Sequence, residues 1–341
     1  MSPPASVLLA CALCASGALG AALPHALDVS VKEVVLGSTP SPGSPARPSY
    51  PFAPVPLGLG HRRFVDIGNQ IVDGNNADVN KFPHQVSMQV VMPRWFGTEA
   101  DPQHICGGTL VAEQWVLTAA HCLYGVPSNA RRVEVLLGVS FLSDKGSNAQ
   151  RIVVSRMLAH GDYVPADDTH SGVGPNDIAL LKLFHRAVLA QVGGAPRLAA
   201  LPTVDVVPGV PGDATLTGWG STSTDSNSPS YPDGLQRITF PLITYSSCNS
   251  FVSRSIPNEP NPLAPSNLCT MDKQNPRASS CSGDSGGPLV QAQPAQPDGS
   301  TTVIGVVSWG LKDCGAELFP SVYTRVSAFV GWINAVEAKY Q

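Results

Sequence analysis

The chain has 341 residues, 43% of them hydrophobic and only 13% charged, with a formal net charge of −4 at pH 7. That is enough apolar material for a substantial core in one large or two small domains, and it excludes a chain disordered throughout. The charged fraction is about half the typical value of roughly 25%, and the mild acidity leaves no basic footprint for a nucleic-acid partner.

In chain order, the apolar run from Val7 to Leu19 is too short to cross a bilayer and leads into Gly20, Ala21 and Ala22. It reads as a secretory signal peptide over residues 1–20, although the N-terminal amine is the sole positive charge before it. No later stretch suits a membrane anchor, so a secreted, extracellular protein is expected. Residues 21–70 are crowded with proline, including Pro40, Pro42, Pro45 and Pro48, and hold no cysteine. This composition predicts a disordered or extended propeptide that cannot stay covalently tethered once cut away from residues 71–341. Cys11 and Cys14 leave with the signal, so six of the eight cysteines remain. In a secreted chain an even number implies disulfides, and the spacings do not suggest a zinc site.

Beyond residue 71 short strand-like runs follow one another at 84–91, 132–137, 151–157, 214–217, 235–242 and 302–307, separated by turn residues. This pattern predicts a mostly β architecture. Near the end, Phe329, Trp332, Ile333 and Val336 fall at helical spacing behind Ser327 as a predicted N-cap.

Three short blocks carry chemistry. His121 ends the apolar run Leu117-Thr118-Ala119-Ala120-His121-Cys122, and Asp177 opens the buried-looking run Asp177-Ile178-Ala179-Leu180-Leu181. Ser285 lies within Gly283-Asp284-Ser285-Gly286-Gly287-Pro288. A serine hydroxyl is a poor nucleophile at neutral pH and needs a base to take its proton and donors to hold the developing oxyanion. The order His, Asp, Ser is that of the chymotrypsin arrangement. From about Ile71 to the C-terminus the chain resembles the chymotrypsin-like, trypsin-superfamily serine endopeptidases, and it is the conjunction of the three blocks that makes the likeness specific.

The resemblance implies two six-stranded antiparallel β-barrels with the site in the cleft between them and a C-terminal helix packed on the second. It implies His121 as general base, Asp177 as its orienting partner, Ser285 as nucleophile, and the amides of Gly283 and Ser285 as oxyanion hole. Ser308 would support the aspartate and, as a pocket residue, line the substrate strand. The disulfides implied are Cys106 with Cys122, Cys248 with Cys269 and Cys281 with Cys314. Ile71 matches the mature N-terminus of the family, whose ammonium would pair with Asp284, so the full chain is expected to be a zymogen. Gln70 replaces the basic residue usual before that cut, which leaves the activating protease unidentified.

Pocket residues are matched in the same way. Ser279 stands where trypsin-like members carry an aspartate, Gly310 leaves the pocket open, and Ser321 replaces a glycine on its wall. Large apolar side chains are therefore the expected preference, with elastase-like cleavage after small residues as the alternative. Val139 occupies the place of the first acidic ligand of the family's calcium loop, so no metal and no cofactor are expected. Partners are expected to be protein or peptide substrates, and composition gives no reason to propose more than a monomer. The competing reading is a catalytically silent homologue that keeps the fold as a binding protein. The remaining histidines, including His84 and His104, lack a motif context and are expected to be structural or on the surface.

Overall fold

The computed structural model describes residues 29–36, 74–94, 98–166, 171–191, 193–204, 212–225, 228–292, 301–310, 313–315 and 318–341. The expected signal peptide and Ile71 lie outside them. Two short strands come first, β1 (Val31–Glu33) and β2 (Asn75–Asn76). Then follow β3 (Gln85–Val91), β4 (Gln103–Ala112), β5 (Trp115–Thr118), β6 (Arg132–Leu137), β7 (Gln150–His160) and β8 (Ala179–Leu183). These six close into an antiparallel barrel in the order β7-β6-β3-β4-β5-β8, with β8 returning to β7.

A second barrel repeats the arrangement with β9 (Asp213–Gly218), β10 (Gln236–Ile243), β11 (Asn267–Thr270), β12 (Pro288–Ala292), β13 (Thr301–Trp309) and β14 (Ser321–Arg325). Its order is β11-β14-β13-β12-β9-β10, closed by β10 on β11, with β2 added outside β10. Side-chain alternation shows why these sequences form barrel walls. Along β10, Gln236, Ile238 and Phe240 are buried while Arg237, Thr239 and Pro241 face water, the period of two that one wet face imposes. All seven residues of β3 are buried, because its outer face meets the other barrel, where Thr217 of β9 hydrogen-bonds Gln85 at 2.5 Å.

Two six-stranded barrels are thus the fold the resemblance implied. Three details differ. Residues 29–36, read as part of a disordered or extended propeptide, hold β1, which pairs with the edge of β7; Val29, Val31, Val34 and Val35 form a strand-type run that the proline content of the surrounding segment masks. The C-terminal helix α3 (Val330–Lys339) packs on the first barrel, where His160 of β7 meets Phe329 and Trp332, and not on the second alone. Phe329, Ile333 and Val336 join the same buried cluster as Leu158, Leu180 and Leu181. Ser327 does not cap it. Ser327 lies in a 3-10 turn (Val326–Ala328) and its hydroxyl accepts from Arg325, while the N-cap is Phe329 with no side-chain hydrogen bond.

Two helices had no sequence signal of their own. α1 (Ala120–Tyr124) is a single turn after β5. In α2 (Tyr245–Ser255) only Cys248 and Val252 are buried, and it is held by Thr244, whose Oγ1 accepts from the Ser247 amide at 3.1 Å, and by the Cys248–Cys269 disulfide.

Candidate active site

Each of the three chemical blocks reaches the space between the barrels from a different element. His121 stands in the first turn of α1, directly after the fully buried β5. The Cys106–Cys122 disulfide ties that turn back to β4. Asp177 follows Asn176, whose φ of +63° is left-handed and suits an asparagine better than most side chains. The Ile178 amide then donates back to the Asn176 carbonyl at 2.8 Å, closing a tight turn with Asp177 at its centre. The second barrel pins the aspartate too: Thr324 on β14 donates to its carbonyl oxygen at 2.7 Å.

The carboxylate of Asp177 is 2% exposed and fully engaged. Oδ1 accepts from the His121 amide at 2.9 Å, and Oδ2 binds His121 Nδ1 at 2.7 Å. Ser308 on β13 donates to the same Oδ2 at 2.6 Å. With Nδ1 bound to a carboxylate, the proton of a neutral ring resides there, and Nε2 is left as the basic nitrogen. The neighbouring Cys106 and Cys122 sulfurs complete a grouping of metal-type ligands with His121, but the disulfide leaves neither as a thiolate.

The loop of Ser285 is clamped from both barrels. Its carbonyl accepts from the Gly107 amide of β4 at 2.7 Å, and the Gly286 amide donates to Val307 of β13 at 2.9 Å. Gly283 and Gly286 have φ values of +98° and +75°, a backbone that glycine adopts without a Cβ penalty. The amides of Asp284, Gly286 and Gly287 all find carbonyl partners, whereas those of Gly283 and Ser285 donate to nothing among the described residues. Ser285 Oγ likewise makes no hydrogen bond among the described residues. His121 and Ser285 line one cleft of about 290 Å³; catalytic hydrogen bonds are often long before substrate binds.

Asp284, beside the nucleophile, is completely buried. Oδ1 accepts from the Gly220 amide at 3.0 Å and Oδ2 from the Cys281 amide at 2.9 Å. A Cβ on Gly220 would sit 2.4 to 2.6 Å from its carboxylate atoms, so this cradle admits only glycine there. Among the described residues no cation pairs with it, and burial raises its pKa to about 7 despite the two amide hydrogen bonds.

All four expected pocket residues, Ser279, Ser308, Gly310 and Ser321, line the cleft. The Ser279 hydroxyl accepts from the Gly315 amide at 2.9 Å, and Ser321 accepts from the Ser280 amide at 3.1 Å. Nothing lies within 4 Å of a Cβ added at Gly310, so the mouth is open. Cys281 and Cys314 close the third disulfide across this region.

Two residues near the site carried no motif. His104, fully buried on β4, binds the Gly283 carbonyl through Nε2 at 3.0 Å, and Nδ1 meets Ser87 Oγ at 2.8 Å. Burial lowers its pKa to about 4, so the ring is neutral: Nε2 donates and Nδ1 accepts. Its one sequence signal is the spacing of two from Cys106 along a buried strand. Asp313 is the other, an exposed acid on the cleft lining next to Cys314.

A family profile described as trypsin matches residues 71–333. The chain is 35% identical over 270 residues to a protein of Lumbricus rubellus named fibrinolytic enzyme, isozyme C, covering 77% of this chain and 98% of that one. It is 33% identical over 273 residues to lectizyme of Glossina austeni, covering 78% and 85% respectively.

Proposed function

The chain belongs to the trypsin family of chymotrypsin-like serine endopeptidases, and from that premise we propose that His121, Asp177 and Ser285 carry its hydrolysis of peptide bonds. The observation that carries this reading is the fixed ring of His121, whose Nδ1 is held by Asp177 at 2.7 Å while Nε2 serves the cleft it shares with Ser285. Nε2 takes the proton of Ser285 as Oγ attacks the substrate carbonyl carbon. The oxyanion forms where the unengaged amides of Gly283 and Ser285 can receive it. His121 then hands the proton to the leaving amine, and water resolves the acyl-enzyme by the same steps reversed. Asp177 stabilises the charged imidazolium throughout, with Ser308 keeping its carboxylate in place.

The chain is a secreted zymogen in this reading. A buried carboxylate with no cation among the described residues, in a cradle shaped by glycine, is what a newly freed ammonium at Ile71 would complete; breaking such a pair costs roughly 3–5 kcal/mol. The cleft, lined by Ser279, Val307 and Trp309, offers no buried charge among the described residues, which supports a preference for large apolar side chains. Ser321 is the feature that would favour small ones instead. Fluorophosphonate labelling of Ser285 in protein beginning at Ile71 tests the activity. Labelling is the expected result, and its absence in folded protein would favour a silent binding homologue.

A further inference from the structure

The segment before the expected cut is not merely adjacent to the protease domain; it is built into its wall. β1 runs antiparallel to β7, with Val31 opposite His160, Lys32 opposite Ala159 and Glu33 opposite Leu158. On either side the Gly161 amide donates to the Ser30 carbonyl and the Val34 amide to the Met157 carbonyl, both at 2.9 Å. Trp332 of α3 adds a second donor to Ser30 at 3.0 Å. Arg156 binds both oxygens of Glu33, at 2.9 and 3.0 Å.

Apolar contact continues the same seam. Val34 is 7% exposed and belongs to the first barrel's core cluster, with Val29, Val31 and Leu36 packed against it. Gly161 shows that the receiving surface is shaped for this chain: a Cβ there would lie 1.9 Å from Ser30 Oγ and 2.7 Å from the Ser30 carbonyl carbon. The segment also touches the cleft wall. Ser30 Oγ donates to Asp162 at 3.2 Å and Lys32 Nζ to the Tyr163 carbonyl at 3.3 Å. Tyr163 in turn donates to the Gly172 carbonyl at 3.0 Å, and Tyr163, Gly172 and Val173 line the cleft.

We propose that after cleavage before Ile71 the segment 29–36 stays seated on β7 without any covalent link, so that the processed enzyme is a two-chain complex whose small chain braces the Tyr163–Val173 side of the cleft. This rests on the reading that the chain is cut before Ile71. Departure of the segment would leave an open strand edge free to pair again and an empty core position at Val34, which water fills poorly. A freed edge strand of this type is recaptured by main-chain pairing plus alternate side-chain pockets, the logic of β-augmentation.

The test uses the full chain with an enteropeptidase recognition sequence placed directly before Ile71. After complete cutting, native mass spectrometry and size-exclusion chromatography read whether the small fragment travels with the protease domain, and fluorophosphonate labelling is followed in parallel. Co-migration that disappears in denaturant is expected. Gly161→Ala, and separately Glu33→Arg on the fragment itself, should release the small chain and raise KM several-fold for extended peptides while leaving hydrolysis of a short ester within about twofold. Release from the unaltered protein, or retention by the unaltered protein and both variants alike, overturns the proposal. Labelling that fails to rise on cutting would count against the zymogen reading alone, because retention of the fragment is scored separately.

Discussion

His104 on the first barrel holds the carbonyl of Gly283 on the second at 3.0 Å, so the peptide unit directly after the Gly283 amide is fixed by a neutral imidazole and limits how that residue can turn. The anchor is itself oriented. Ser87 Oγ donates to Nδ1 and accepts from Gln89 Nε2 at 3.1 Å, and Gln89 Oε1 is gripped by Arg151, which pairs with Glu134 at 3.0 Å. Replacing His104 by alanine should lower kcat by about tenfold to hundredfold, equivalent to roughly 1.4–2.7 kcal/mol in the barrier, with little change in KM. Steady-state kinetics on one peptide substrate check this.

The same ring makes a pH prediction. His84 and His104 are both buried, which lowers each pKa from 6.5 to about 4. The unfolded chain therefore takes up protons on these two rings below about 6.5 while the folded chain does not, so stability is full above that value and falls as pH drops towards 4. Denaturant midpoints measured from pH 7 to pH 4 should decline, and His104→Gln should flatten part of that decline.

Asp177 accepts three hydrogen bonds from His121 and Ser308. An amide at this position must present an NH₂ to one of those donors, disfavouring the ring tautomer that leaves Nε2 basic. Asp177→Asn should be close to inactive; for this triad, which is the type example of its family, the corresponding change lowers kcat by about 10⁴, a value taken over from the family. Ser308→Ala removes one donor and should cost only about tenfold. Single-turnover acylation rates separate the two.

Gly220→Ala pushes a methyl group into the carboxylate of Asp284 and should give cut protein that stays folded yet labels poorly. In unaltered cut protein, an Ile71 ammonium paired with Asp284 has its pKa raised above the free value of about 7.7–8.0. Pairing is complete below that free value and lost as pH climbs through the raised one, so kcat/KM should fall on the alkaline side. A flat profile to about pH 11 in folded enzyme would sink this assignment.

Placing a charge on the cleft floor should redirect specificity. Ser279→Asp is expected to move the fastest cleavage from large apolar side chains to Lys or Arg, read with a peptide panel varied only at that residue. Fastest cleavage after Arg by the unaltered enzyme would contradict the pocket reading.

The blocks around His121, Asp177 and Ser285 were legible because the proposed chemistry would need particular residue types in local runs, and the strand runs because one wet face imposes alternation. His104 was not, since its role comes from a partner 179 residues away and no local pattern marks it. The seat of α3 was misread for a similar reason. An apolar stripe says that a helix is covered, not by which barrel, and here Val326 and Phe329 lead the chain back across to the first. β1 escaped because the valines in and around it stand in a segment crowded with proline, and its partner strand lies more than a hundred positions downstream.

That return of the C-terminus has a consequence for how the chain matures. The strands of the first barrel are all present by Leu183, yet its core lacks Phe329, Ile333 and Val336 until the last stretch is made. Lys182 is likewise bonded to the Tyr340 carbonyl. The first half therefore cannot finish alone during synthesis, and a protein shortened at its tail would lose the integrity of the half that carries His121.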